Sequence, residues 1–277
     1  MNVESSLAGL GKIERRNPYG YSSSWQLEEV TVVTEDGRRR SLIIKHIGDD
    51  HPAKPAFVSD PAREIETYAA LGGLALGLPR CHAAGRWWLI LEKVAGTELW
   101  QHADLSAWQA AARWARRLHD RFLSDPPAGA HLLVRDEAFF RAWIDRAATQ
   151  TGGAVQALLP AAQDAVARLL RLPATLIHGE LYPSNILIAD ERVAVVDWEM
   201  AGVGPGVIDL AALVTGWPVL EQARIVAAYG GVDPADLAAA RLLLALQWLG
   251  WSPAWQPPEE HRRDWLTEAA EAAAGIR

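Results

Sequence analysis

The stretch Ile177–Glu199, "IHGELYPSNILIADERVAVVDWE", decides how this chain is read. An apolar strand, "TLIHGE", runs into a polar loop. "NILIADERVAVVD" then reads as a strand, a turn at Ala189-Asp190 and a returning strand, rich in Val and Ile. Asn185 opens the first strand and Asp197 closes the second, so an antiparallel hairpin sets them side by side at one end. Glu180 lies in the loop just upstream. Two carboxylates and one carboxamide then converge, and hard oxygen ligands of this kind suit Mg²⁺, which bridges phosphates. A solvated polar turn between ordinary strands is the plain alternative. The ordered set His178, Glu180, Asn185 and Asp197 argues against it.

Composition bounds the rest. A chain of 277 residues makes one large domain or two lobes, and 50% apolar residues can bury a sizeable core. The formal charge of -7 argues against nucleic-acid binding, which needs a basic face. An acidic surface favours cationic or polar small substrates. Cys81 stands alone, so no internal disulfide or thiolate metal cluster forms and a reducing compartment fits. "MNVESSLAGLGKIERR" lacks the apolar core of a secretory signal. The longest apolar stretch, "DLAAARLLLALQWLGW", is interrupted by Arg241 and Gln247 and is too short to span a bilayer. The expectation is a cytoplasmic protein with no membrane partner.

Residues 1–94 read as strand-rich. "WQLEEVTVV" and "SLIIKHI" flank an Asp36-Gly37 turn signal. Asp60 caps a helix that Pro61 opens, "AREIETYAAL", ended by Gly72-Gly73. Strands follow around "LPRCHAA" and "RWWLILEKV". "GLGK" at Gly9–Lys12 lacks phosphate-loop spacing and reads as strand edge. Residues 95–277 are dominated by Ala, Leu, Arg and Trp at helical spacing, as in "LSAWQAAARWARRLHDRF". Strands first and helices later predict an α+β chain of two lobes.

The loop and hairpin resemble the catalytic segment of the aminoglycoside phosphotransferases and choline-kinase-like enzymes, relatives of the protein kinases. That family carries His-Gly-Asp, four residues, Asn, and later an Asp followed by Phe or Trp. "HGELYPSN" and "VVDWE" match in order and spacing except at Glu180. The resemblance implies a bilobal protein-kinase-like fold, a small β-rich N-lobe and a larger helical C-lobe. It implies ATP as phosphoryl donor, with GTP not excluded, and Mg²⁺. Glu180 takes the place of the catalytic base, Asn185 and Asp197 hold metal, and His178 braces the loop. Asp209, in "GPGVIDLAAL", matches an acid that bonds the loop backbone.

In the N-lobe, a kinase needs a strand lysine on the phosphates and a helix glutamate to orient it. Lys45 fills the first role. Glu64 fills the second better than Glu66, which shares the opposite face with Arg63. Ser22, Ser23 and Ser24, beside the lone Gly20, replace the usual glycines over the phosphates. By resemblance, the Glu92 carbonyl and the Val94 N–H would meet the nucleotide base, with an ordinary strand end as the plain alternative.

Glutamate and aspartate have nearly equal pKa values, about 4.3 and 3.9, so Glu180 changes reach more than acidity. Three readings follow: a working base, a slow kinase, and a nucleotide-binding pseudokinase. Retention of Lys45, Asn185 and Asp197 favours the first. A metal hydrolase built on His178, Glu180 and Asp197 ranks lower, because the spacing of a zinc site is missing. The predicted reaction moves a phosphoryl group to a hydroxyl of an amino sugar, aminoglycoside-like compound or amino alcohol. Trp248, Trp251 and Trp255, with Glu259, Glu260 and Asp264, offer cation-π and acidic contacts for an amine, although core packing accounts for each taken singly.

Overall fold

A computed structural model describes residues 2–20, 25–48, 54–127, 129, 131–251 and 262–276. It opens with helix α1 (Val3–Leu10), whose N-cap Asn2 accepts the Ser5 N–H at 2.8 Å. Gly9 therefore lies in the last turn of a helix that Gly11 caps, and only Lys12 enters a strand, contrary to the strand-edge reading. A helix of eight residues is marginal alone. Leu7 stabilises it by packing, fully buried, on Val30, Val32, Leu42 and Ile44. That partner is invisible in local sequence.

Strands β1 (Lys12–Pro18), β2 (Leu27–Val33), β3 (Arg39–His46), β4 (Cys81–Gly85) and β5 (Trp88–Glu92) form an antiparallel sheet in the order β1-β2-β3-β5-β4. Leu42 and Ile44 face α1. Successive side chains alternate faces, so Lys45 points the other way, toward helix α2 (Pro61–Leu71). Asp60 caps α2 by accepting the Ala62 N–H at 2.9 Å, and Pro61 opens it. Glu64 faces inward and Glu66 is exposed. Arg63, expected on the outer face, is buried instead. Its guanidinium donates to the carbonyls of Val58, His131 and Glu199 at 2.8, 2.7 and 2.7 Å. Helical periodicity sorts faces by polarity and cannot foresee carbonyls arriving from other segments.

The larger lobe follows. In chain order it contains β6 (Thr97–Glu98), α3 (Leu105–Phe122), β7 (Leu133–Val134), α4 (Glu137–Gln150), α5 (Leu159–Leu169), β8 (Ala174–Ile177), β9 (Ile186–Ala189), β10 (Arg192–Val195), β11 (Gly202–Pro205), α6 (Val207–Val214), α7 (Val219–Tyr229), α8 (Pro234–Leu249) and α9 (Trp265–Ala274). The hairpin β9-β10 gains β6 as a third strand, and β7-β11-β8 form a separate small sheet. The chain is thus α+β, with a β-rich N-terminal sheet and a mainly helical remainder. Among the described residues, no helix is long and apolar enough to cross a membrane.

One apolar core spans both parts. It runs from Tyr68 and Leu71 of α2 through Leu89, Trp114 and Leu118 to Ile186, Val193 and Val195 of the hairpin. Each fully buried side chain of this size contributes about 1.5–3 kcal/mol. Exposed pairs such as Arg39–Glu14 are screened by solvent and contribute little. Apolar packing therefore sets how the sheet and α2 meet the hairpin.

Candidate active site

Ile177 leaves β8 and the chain turns at Gly179, where φ is +84°. A Cβ there would lie 2.2 Å from the Met200 carbonyl oxygen and 2.3 Å from Arg135 Nη2, so glycine is required. Asp209, in the first turn of α6, is fully buried. Its two carboxylate oxygens accept the His178 and Gly179 N–H groups, both at 2.8 Å. His119 Nε2 lies 3.0 Å from Asp209 Oδ2, and the Tyr229 hydroxyl lies 2.8 Å from His119 Nδ1. Burial pushes the Asp209 carboxyl up, but the His119 bond and charge outweigh it and hold the group below its ordinary value.

His178 Nε2 sits 2.9 Å from the Val196 carbonyl, and its Nδ1 accepts the Glu180 N–H at 3.2 Å. This pattern assigns a neutral ring with the proton on Nε2. Burial, which lowers the His178 pKa, favours the same form. The ring braces the loop backbone on both sides of the hairpin mouth.

At the end of β10, Asp197 takes a left-handed conformation, φ 66° and ψ 64°. Lys45 Nζ lies 2.6 Å from Asp197 Oδ1 and 2.6 Å from Glu64 Oε2. The Glu64 contact is an ion pair outside hydrogen-bond geometry. Burial works against the Lys45 charge, yet Asp197, Glu64 and Glu199 outweigh it and raise its pKa well above the ordinary value. Burial pushes Glu64 up to about 7, with Lys45 opposing and Asp197 and Glu199 adding.

Glu199 closes the sequence motif, and the sequence assigns it no role. The short turn Trp198–Met200 brings it back to the same side, and one oxygen each of Glu64, Asp197 and Glu199 lies within 4.8 Å of the others. Spacing two residues past Asp197 was the available signal. Lys54, also missed, pairs with Glu199 and stands 5.1 Å from the Trp25 ring centroid. Trp25 Nε1 donates to Glu199 at 3.0 Å. Asn185 begins beside this cluster: its carbonyl accepts the Val196 N–H at 3.0 Å, next to Asp197. Its Nδ2 donates to the Glu180 carbonyl at 2.9 Å. This oxygen-rich set fits a hard divalent cation.

Glu180 is only partly exposed. Burial by surrounding protein atoms pushes its carboxyl up to about 8, and the charges of Glu199 and Asp197 add to that, against Lys54 and Arg135.

Two expectations sit further out. The Glu92 side chain pairs with Arg192 at 2.7 and 3.0 Å, tying β5 to the hairpin, and its N–H donates to the Arg80 carbonyl at 2.8 Å. Val94 is buried, and its N–H meets no acceptor among the described residues. Ser22, Ser23 and Ser24 lie outside the described residues, as do Trp255, Glu259 and Glu260. Trp248 stacks on Trp265 with centroids 5.4 Å apart and donates to the Tyr182 hydroxyl at 2.5 Å, while Trp251 stacks on Trp143 at 5.3 Å. Core packing absorbs these rings.

A β-rich lobe carrying a lysine–glutamate pair over a His-Gly-Glu loop defines a kinase-like fold. Residues 22–243 match the sequence model of the phosphotransferase enzyme family, and the chain belongs to that family. Among solved structures it is similar to choline kinase LicA from Streptococcus pneumoniae (TM-score 0.70, 14% identity, covering 99% of this chain and 97% of that one). It is also similar to macrolide 2'-phosphotransferase MphH from Brachybacterium faecium (TM-score 0.60, 18% identity, 99% and 97% covered). A third similar structure is ADP-bound aminoglycoside phosphotransferase APH(2'')-Ib (TM-score 0.63, 13% identity, 100% and 99% covered). No curated protein matches by sequence.

Proposed function

We propose that this phosphotransferase moves the γ-phosphoryl group of ATP to a hydroxyl of a small polar acceptor, with Glu180 as base. The observation that carries the reading is the Glu64–Lys45–Asp197 chain, with both contacts at 2.6 Å, beside the Asp209-anchored loop. Lys45 would bind phosphate oxygens, oriented by Glu64. The Glu92 carbonyl and Val94 N–H would take the base, and Ser22, Ser23 and Ser24 are assigned to the phosphates from sequence. Asp197, Glu199 and Asn185 would hold Mg²⁺. When bound, that ion supplies positive charge to the phosphates and to the neighbouring carboxylates.

The acceptor hydroxyl gives its proton to the Glu180 carboxylate as its oxygen bonds to the γ-phosphorus. The bond from that phosphorus to the bridging oxygen breaks, and ADP leaves with its electron pair. Positioning dominates such a transfer, so the extra methylene of Glu180 is accommodated by where the acceptor sits. Similar structures named as choline kinase, macrolide phosphotransferase and aminoglycoside phosphotransferase support a small acceptor; the cytoplasmic setting is proposed from the sequence alone.

The second reading is a nucleotide-binding protein of weak or absent turnover. The Glu180 carboxyl raised to about 8 favours it, since a protonated base accepts nothing at neutral pH. A nucleotide-consumption screen over polyols, amino sugars and amino alcohols decides. ADP formation lost in both Glu180→Ala and Asp197→Ala supports the kinase. Nucleotide binding without turnover, unchanged in Glu180→Ala, supports the alternative.

A further inference from the structure

A second set of groups lies just behind the catalytic loop. Arg135 follows β7, is 3% exposed, and packs against Gly179. Its Nη2 donates to the Met200 carbonyl at 2.7 Å, and its guanidinium covers the Phe139 ring at 4.2 Å. Its Nη1 has no hydrogen-bond partner among the described residues. Arg63 differs: that buried guanidinium meets three carbonyls through its Nε and Nη1. A buried charge normally finds such partners or an opposite charge; the Glu180 and Asp209 carboxylates act on Arg135 through space, without a hydrogen bond to it. Burial lowers the Arg135 pKa only to about 10, so it stays charged at neutral pH.

Trp143, from α4, supplies a second orphan. Its ring is 2% exposed, and its Nε1 also lacks a partner among the described residues. Arg135 and Trp143 line one cavity between α4 and α8, with Phe140, Ile208, Leu243 and Gln247 among its walls. About 20 Å³ of it is open to the centres of water-sized spheres. That is one or two water-sized groups, too little for a sugar ring and enough for the two oxygens of a carboxylate. Two donors without a hydrogen-bond partner among the described residues, one of them cationic, on side chains lining a largely apolar cavity suit an acceptor-only anion.

We propose that this cavity is a carboxylate subsite for the phosphoryl acceptor, held by Arg135 and Trp143, so that the substrate is a hydroxy acid. The inference rests on the kinase reading above. Arg135 touches Gly179, so a carboxylate on its Nη1 stands next to the residue that precedes Glu180. A few carbon atoms then carry the hydroxyl to the Glu180 carboxyl. An ammonium cannot accept from these donors, so it is not the group that fills this cavity.

The test pairs glycerate, lactate and γ-hydroxybutyrate each with its primary amide. Binding is read by calorimetry in the presence of ADP and Mg²⁺, and turnover by ADP release from ATP. At least one acid should bind tenfold or more tighter than its amide. Arg135→Met should weaken that acid by roughly 30–100-fold and erase the preference, as expected for a lost charged hydrogen bond. Trp143→Phe keeps the ring and should weaken it by roughly 3–10-fold. ADP affinity checks folding, and if Arg135→Met does not fold, Trp143→Phe and Arg135→Lys decide. Acids and amides binding alike, no acid binding, or unchanged binding in the folded variants overturns the subsite. Acid binding with no turnover of any acceptor leaves the subsite standing and removes the kinase reading. Phosphorylation of amines or polyols with no acid bound does the reverse.

Discussion

Replacing Glu180 by Gln removes a carboxyl that the fold holds at about 8 against an ordinary 4.5. Between those values the folded protein keeps a proton that the unfolded chain has released. Stability therefore falls as pH rises through that window and levels off above about 8. Each pH unit corresponds to about 1.4 kcal/mol, so the full gap sets a ceiling near 5 kcal/mol. Glu180 retains solvent contact, and screening reduces the effect to about 1–2 kcal/mol. At this chain length that is about 3–6 °C in Tm. Thermal unfolding of wild type and Glu180→Gln, free of metal and nucleotide, should coincide near pH 5 and separate toward pH 8.5, the variant melting higher. Mg²⁺ with nucleotide should narrow the gap. The same variant should lose about 10²–10⁴-fold in kcat, the usual contribution of a positioned base. A stability difference that stays flat from pH 5 to 9 would refute the reasoning, because it would mean that the fold places no charge burden on this carboxyl.

Lys45→Met should strand Glu64 and Asp197 as buried like charges. We expect a loss of about 3–5 kcal/mol by chemical denaturation, smaller at low pH where Glu64 is protonated, together with weakened ATP binding by calorimetry. Gly179→Ala should lower Tm sharply, since its Cβ would overlap the Met200 carbonyl oxygen at 2.2 Å, and far-UV and near-UV circular dichroism will separate local from global loss. Glu199→Gln should raise the Mg²⁺ concentration needed for half-maximal ADP release by about tenfold while leaving metal-free nucleotide affinity within threefold.

Much of the site was legible because its spacing is local. His178, Glu180, Asn185 and Asp197 fall within 20 residues, and hairpin geometry alone sets Asn185 beside Asp197. The Lys45–Glu64 pair was also readable, from strand alternation on one side and the inward stripe of α2 on the other. Glu199, Lys54 and Arg135 were not. Glu199 turns inward only through the short turn after Asp197. Lys54 reaches it from a loop distant in sequence. Arg135 lies between the two-residue strand β7 and helix α4, and nothing in its sequence neighbours marks it as buried.

The sequence by itself determined the family, the strand-then-helix order and the ordered set of polar residues in the loop and hairpin, because these depend on short-range periodicity and fixed spacing. Only the tertiary structure decided which charges share a space. Packing of α2 against the hairpin makes Glu64, Asp197 and Glu199 one cluster, and packing around α4 and α8 leaves one donor each of Arg135 and Trp143 unanswered among the described residues. The physical reason is that burial and electrostatic fields sum over neighbours in space, and those neighbours here come from segments more than 100 residues apart.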